Sequence, residues 1–358
     1  MRSTRGVVLT LGSAQTLAWA SSYYLPALVA APIARDLGLA TADVFLAFSF
    51  ALVLSALVGP ACGRVIDRHG GRALLMATNG LFAAGLAGLG LATEPWQVVA
   101  AWALLGVAMG AGLYDPAFAS LVWLYGRASR DPITGITLLA GFASTIGWPL
   151  TAWMSAEWGW RGACFGWAGL HLVLGLPLNA CLPGTRQTAP EGPAAAAPTS
   201  PAAAAASPAA ASAAAVPWKP LLLLAFFFAA TRFVATGIGT HLPGLLMAAG
   251  ATLAAAVAAG TLVGPAQVGG RLLEFGLLRR WPALRSARLA ALGPPLGMGA
   301  LLVFGLPAAV PFALLHGAGN GILTIAKGTL PLAMFGARGY GKRQGWLTMP
   351  GQALQAFA

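Results

Sequence analysis

Two ionisable residues stand inside long apolar runs, where a charge is costly unless it faces a cavity or a partner. Asp115 lies in Gly110-Ala111-Gly112-Leu113-Tyr114-Asp115-Pro116, and Arg232 lies in Ala230-Thr231-Arg232-Phe233. A buried arginine suits an anionic group, and a buried carboxylate can exchange a proton or a partner. The pair would equally serve as a structural ion pair that fixes helix packing. Other polar side chains recur at helical spacing: Gln15, Trp19 and Tyr23 are four apart and share a face, as do His316 and Asn320. Amide, phenol and imidazole groups could orient a polar head while Trp19 and Trp148 meet an apolar body. Pro116 cannot donate to the carbonyl of Gly112 and so bends the helix beside Asp115. His171 reads as a hydrogen-bonded packing residue.

The elements that carry these residues follow from composition. Of 358 residues, 58% are hydrophobic and 8% charged, against about 25% charged in a soluble domain. Apolar runs of roughly 20 residues recur from Val7 to Ala326, the length a lipid span needs. The chain is therefore read as an all-α polytopic membrane protein. The net charge of +12 is scattered over many loops, so membrane topology accounts for it better than nucleic acid does. Cys62, Cys164 and Cys181 have no metal-ligand spacing, so neither a zinc site nor a disulfide scaffold is expected. Nucleotide, zincin and nucleophile-elbow motifs are missing, so no cofactor and no enzymatic activity are expected.

The periodicity predicts spans near 7–34, 42–62, 73–93, 97–124, 133–156 and 159–182. An Ala/Pro/Ser-rich linker over 183–217 has prolines too frequent for one helix. Further spans follow near 218–243, 251–275, 287–306 and 308–330. Gly345 to Ala358 reaches about 21 Å at about 1.5 Å per residue, short of a roughly 30 Å hydrocarbon core. The sequence is thus expected to supply ten complete helices and part of an eleventh, ending inside it. With an inside amino terminus, all of the 21 Lys and Arg fall in inside loops except Arg35, Arg161 and Arg232, which makes the amino terminus and linker cytoplasmic. That count includes Arg130, Arg271 and Lys327 as loop charges. The excess of Arg over Lys, with abundant Ala and Gly, suggests a GC-rich bacterial gene and an inner-membrane location.

The most specific string is Gly63-Arg64-Val65-Ile66-Asp67-Arg68-His69-Gly70-Gly71-Arg72. A weaker copy, Gly270-Arg271-Leu272-Leu273-Glu274, follows the linker, which implies two related halves, 1–182 and an incomplete 218–358. The first string resembles the signature of the major facilitator superfamily, with Gly71 in place of one of the closing basic residues. Trp158-Gly159-Trp160-Arg161 resembles that family's outer loop between spans five and six. The resemblance implies a fold of two six-helix halves and secondary transport of a small solute by one monomer in a lipid bilayer. It also implies that spans one, four, seven and ten line a central cavity. On that basis Arg232, Gln15, Trp19, Tyr23, His316 and Asn320 are candidate substrate ligands, and Asp115 is the candidate proton carrier. Gly63, Asp67, Arg68, Gly70 and Arg72, with Arg271 and Glu274, are candidates for a clamp between the halves. Gly141 to Leu150 loosely resembles the family's antiporter motif, but Trp148 interrupts its Gly-Pro end. A small organic anion is the expected substrate; proton-coupled efflux of amphipathic, drug-like compounds is the alternative.

Overall fold

The computed structural model describes residues 3–187 and 218–357, so most of the Ala/Pro linker, 188–217, lies outside the described residues. The described residues contain helices and no strand. The amino-terminal set is α1 (Thr4–Ser21), α2 (Pro26–Leu37), α3 (Thr41–His69), α4 (Arg72–Gly90), α5 (Pro95–Gly112), α6 (Tyr114–Tyr125), α7 (Arg130–Ala140), α8 (Ala143–Leu170) and α9 (Leu176–Ala180). The carboxy-terminal set is α10 (Trp218–Ala248), α11 (Leu253–Thr261), α12 (Val263–Gly276), α13 (Ala283–Phe304), α14 (Ala309–Phe335) and α15 (Tyr340–Gln355). Among the described residues, seven stretches of helix are long and apolar enough to cross a membrane. The fold is an all-α polytopic bundle.

Local chemistry explains where these helices start and break. Ser3 caps α1 by accepting from the Gly6 N–H at 3.2 Å, satisfying a donor that the first turn leaves free. Prolines open α2 and α5 at Pro26 and Pro95, where a missing N–H costs nothing. The first span is broken between α1 and α2 at residues 22–25. The fourth is broken at Leu113, between α5 and α6, which places Asp115 in the first turn of a new helix. Helix α8 contains the turn expected between spans five and six, at Gly159 with φ 69°.

Within the amino-terminal set, α3 packs on α5, α4 on α5 and α8, and α1 on α7; within the carboxy-terminal set, α14 packs on α12 and α13, and α10 on α15. Lipid offers no hydrophobic drive between helices, so close backbone approach and hydrogen bonds must supply the adhesion. The tightest crossing between the sets joins α3 to α15. A Cβ at Gly63 would collide with the Gly341 carbonyl, and one at Gly345 would lie 2.6 Å from the Pro60 backbone. Buried hydrogen bonds add specificity. His171 has Ser21 Oγ at 2.7 Å and Asn79 Oδ1 at 3.0 Å, one on each ring nitrogen, and stacks on Phe82.

Candidate functional site

Asp115 is where the broken helix, the two helix sets and a cavity meet. Because Pro116 has no N–H, the Gly112 carbonyl loses its helical partner. Gln15 Nε2 supplies the replacement, donating to that carbonyl at 2.7 Å. The carboxylate of Asp115, 8% exposed, has four donors. Lys327 Nζ lies at 3.0 Å, Gln344 Nε2 at 3.1 Å, Thr348 Oγ1 at 3.1 Å and Gln352 Nε2 at 2.7 Å. All four come from α14 and α15 in the carboxy-terminal set.

Beside this network lies a cavity of about 360 Å³. One wall is aromatic. Trp19 packs against Tyr23, Tyr24 and Tyr114 with ring centroids 5.2, 6.4 and 4.9 Å away. The facing wall carries Arg232 on α10, Arg271 on α12, Asn320 and Lys327 on α14, and Gln352 and Gln355 on α15. Its lining residues include three cations and no carboxylate; Asp115 borders a smaller adjoining pocket. Arg232 Nε donates to Gln355 Oε1 at 2.6 Å, and Gln355 in turn donates to the Tyr23 hydroxyl. Trp148, beyond Tyr24, donates to the Tyr24 carbonyl at 3.2 Å.

Of the residues expected to bind substrate, Arg232, Trp19, Tyr23 and Asn320 line the cavity. Gln15 and His316 do not. Gln15 is one turn deeper and committed to Gly112. His316 is 2% exposed and stacked on Phe312 inside the carboxy-terminal set. Asp115 is paired with Lys327, while Arg232 bonds Gln355. Arg271 and Lys327, counted above with the inside charges, lie within α12 and α14, as the expected spans have them, and both line the cavity. Gln344, Thr348 and Gln352, four apart on one face of α15, are site residues that the sequence analysis does not single out, and their spacing is the signal that marks them.

The two related strings occupy matching places. Asp67, near the end of α3, accepts from the Gly341 and Lys342 backbone N–H groups at 2.8 Å each, at the first turn of α15. Glu274, near the end of α12, pairs with Arg130 at 3.0 Å, at the first turn of α7. Each acid thus ties its own set to a helix start in the other set, where the dipole favours negative charge. Arg271 is buried and donates to the Thr137 carbonyl of α7 at 3.2 Å. Gly70 turns the chain with φ 81°, while the side chains of Arg68 and Arg72 are exposed.

The wider likeness agrees with this geometry. The human organic anion transporter MFSD10 (TETRAN) superposes with a TM-score of 0.70 at 16% identity, over 99% of this chain and 92% of that one. The proton:xylose symporter XylE, bound to 6-bromo-6-deoxy-D-glucose, superposes with a TM-score of 0.70 at 14% identity, over 99% and 86%. Among curated proteins none matches the sequence. The family profile of the Major Facilitator Superfamily matches residues 11–358. With the bundle, the paired acid contacts between its helix sets and a profile match over nearly its whole length, the chain belongs to the major facilitator superfamily of membrane transporters.

Proposed function

We propose that this protein is a secondary active transporter of a small organic anion, working by alternating access with proton coupling. The family and both structural neighbours are transporters, which points away from an enzyme. The observation that carries the anionic reading is the cavity lining, with Arg232, Arg271 and Lys327 and no carboxylate. Lys327 is answered by Asp115, so the two arginines leave an excess of positive charge for a substrate to neutralise. Buried charge without a partner is expensive, and a bound anion repays that cost.

Asp115 supplies the coupling. Its donors all belong to α14 and α15, so separation of α6 from those helices strips the carboxylate of every partner at once. A proton then replaces the lost charge compensation. Residues 1–182 and 218–358 form the two moving halves, joined by 183–217. Asp67 with Gly63 and Gly70, and Glu274 with Arg271, clamp them on the cytoplasmic side; Arg68 and Arg72 fix the loop inside. The protein acts as a monomer in the inner membrane with a cytoplasmic amino terminus. The fold likeness to an organic anion transporter and to a proton symporter supports this reading.

The aromatic wall of Trp19, Tyr23, Tyr24 and Tyr114 favours a second reading, proton-coupled efflux of amphipathic compounds. Reconstituted protein separates them. Counterflow of labelled carboxylates that falls at least about tenfold in Arg232→Gln is expected; transport of lipophilic cations that survives Arg232→Gln would replace the anionic reading with efflux.

A further inference from the structure

The polar groups of the cavity are not equally occupied. Gln355 and Gln352 are committed to Tyr23 and Asp115. Arg232 uses Nε on Gln355 and leaves its two terminal nitrogens without a hydrogen bond among the described residues. The side-chain amides of Gln267 and Asn320 and the hydroxyls of Tyr24 and Tyr114 also make none among the described residues, and all of them line the cavity. A guanidinium alone would accept any carboxylate. Two amides and two phenols beside it demand more of a ligand, because a bound molecule that displaces their water must return their hydrogen bonds.

An aromatic carboxylate satisfies Arg232 and leaves the amides unanswered. A neutral sugar satisfies the amides and leaves the guanidinium unanswered. The cavity, about 360 Å³, is near the lower end of the roughly 300–1,000 Å³ of small-molecule pockets, a size suited to one compact solute. We infer that the substrate is a polyhydroxylated carboxylate of the sugar-acid class. Its carboxylate meets Arg232, its hydroxyls meet Gln267, Asn320 and the two phenols, and its C–H face rests on Trp19. The inference rests on the anionic reading above and adds the hydroxyls to it.

The test is thermal stabilisation of the purified full chain by D-gluconate, D-glucuronate, D-glucose and benzoate, since a ligand stabilises the folded state by mass action. Gluconate or glucuronate is expected to bind at least about tenfold tighter than glucose or benzoate. Asn320→Leu should weaken the sugar acid at least about tenfold and leave benzoate unchanged, because a site built to bond hydroxyls discriminates through groups left unpaired. Benzoate binding as tightly as the sugar acids, with Asn320→Leu silent for all of them, would overturn the hydroxyl inference and keep the anionic reading. Glucose binding best, unaffected by Arg232→Gln, would overturn both. Melting temperatures of the ligand-free variants within a few degrees of the parent confirm that each variant folds. If Asn320→Leu does not fold, Asn320→Ser and Gln267→Leu carry the same comparison.

Discussion

Lys327 Nζ lies 3.0 Å from the Asp115 carboxylate, across the seam between the two helix sets, with side-chain exposures of 15% and 9%. Among the described residues neither has an alternative charge partner as close. The ion pair therefore joins the two helix sets and is not a brace within one of them.

Neutralising the carboxylate should uncouple transport. Asp115→Asn keeps a side chain of the same shape without the charge that a proton would cancel. Reconstituted Asp115→Asn protein is expected to exchange substrate across the membrane yet fail to accumulate it under an imposed pH gradient. Parental accumulation by the variant would remove Asp115 from the coupling step.

Breaking the joint from the other side should cost stability. Lys327→Met leaves a buried carboxylate with neutral donors only, a loss of about 3–5 kcal/mol when one member of a buried pair is removed. The double variant Asp115→Asn with Lys327→Met should recover a large part of that loss, since replacing both members is often close to neutral. Melting curves of the three variants in one detergent give the comparison; equal destabilisation by the single and double changes would contradict it.

Gln15 offers a clean separation of support from binding. Gln15→Leu leaves the Gly112 carbonyl unpaired, a penalty of about 1–3 kcal/mol. Substrate affinity in the folded fraction should stay within about twofold, because Gln15 does not line the cavity. An affinity loss of tenfold or more without a lowered melting temperature would place Gln15 in the binding site.

The clamp should control rate. Asp67 accepts from two backbone N–H groups of α15 and does not line the cavity. Asp67→Asn is expected to change the rate of substrate exchange severalfold while equilibrium binding stays nearly unchanged. A large affinity loss with an unaltered exchange rate would argue against a clamp.

What could be read in the sequence was local. The Gly63 to Arg72 string, the break at Pro116 and the turn at Gly159 each depend on residues a few positions apart, where backbone rules act directly. The partner of Asp115 is 212 residues away, and no spacing rule selects Lys327 over Arg232 at that separation. Both cations sit in apolar surroundings, and only the packing of α14 against α6 decides between them. Gln15 shares a face of α1 with Trp19, as its spacing implies, but that face extends beyond the cavity, and Tyr23 lies in the break after α1, off the helix its spacing predicted. One turn deeper Gln15 meets the end of α5. His316 differs from Asn320 in the same way, by one turn of depth along α14.

The grip on Asp67 has an evolutionary consequence. Its partners are main-chain N–H groups, so almost any side chain could be exchanged at positions 341 and 342 without removing the donors, apart from the steric limit set by Gly63 at 341. Drift at position 342 is therefore nearly silent for this latch. Proline is the exception, for it lacks the N–H yet is accommodated in the first turn of a helix. Lys342→Pro would delete one of the two bonds while α15 persists, making it a lesion that side-chain comparison alone would never flag.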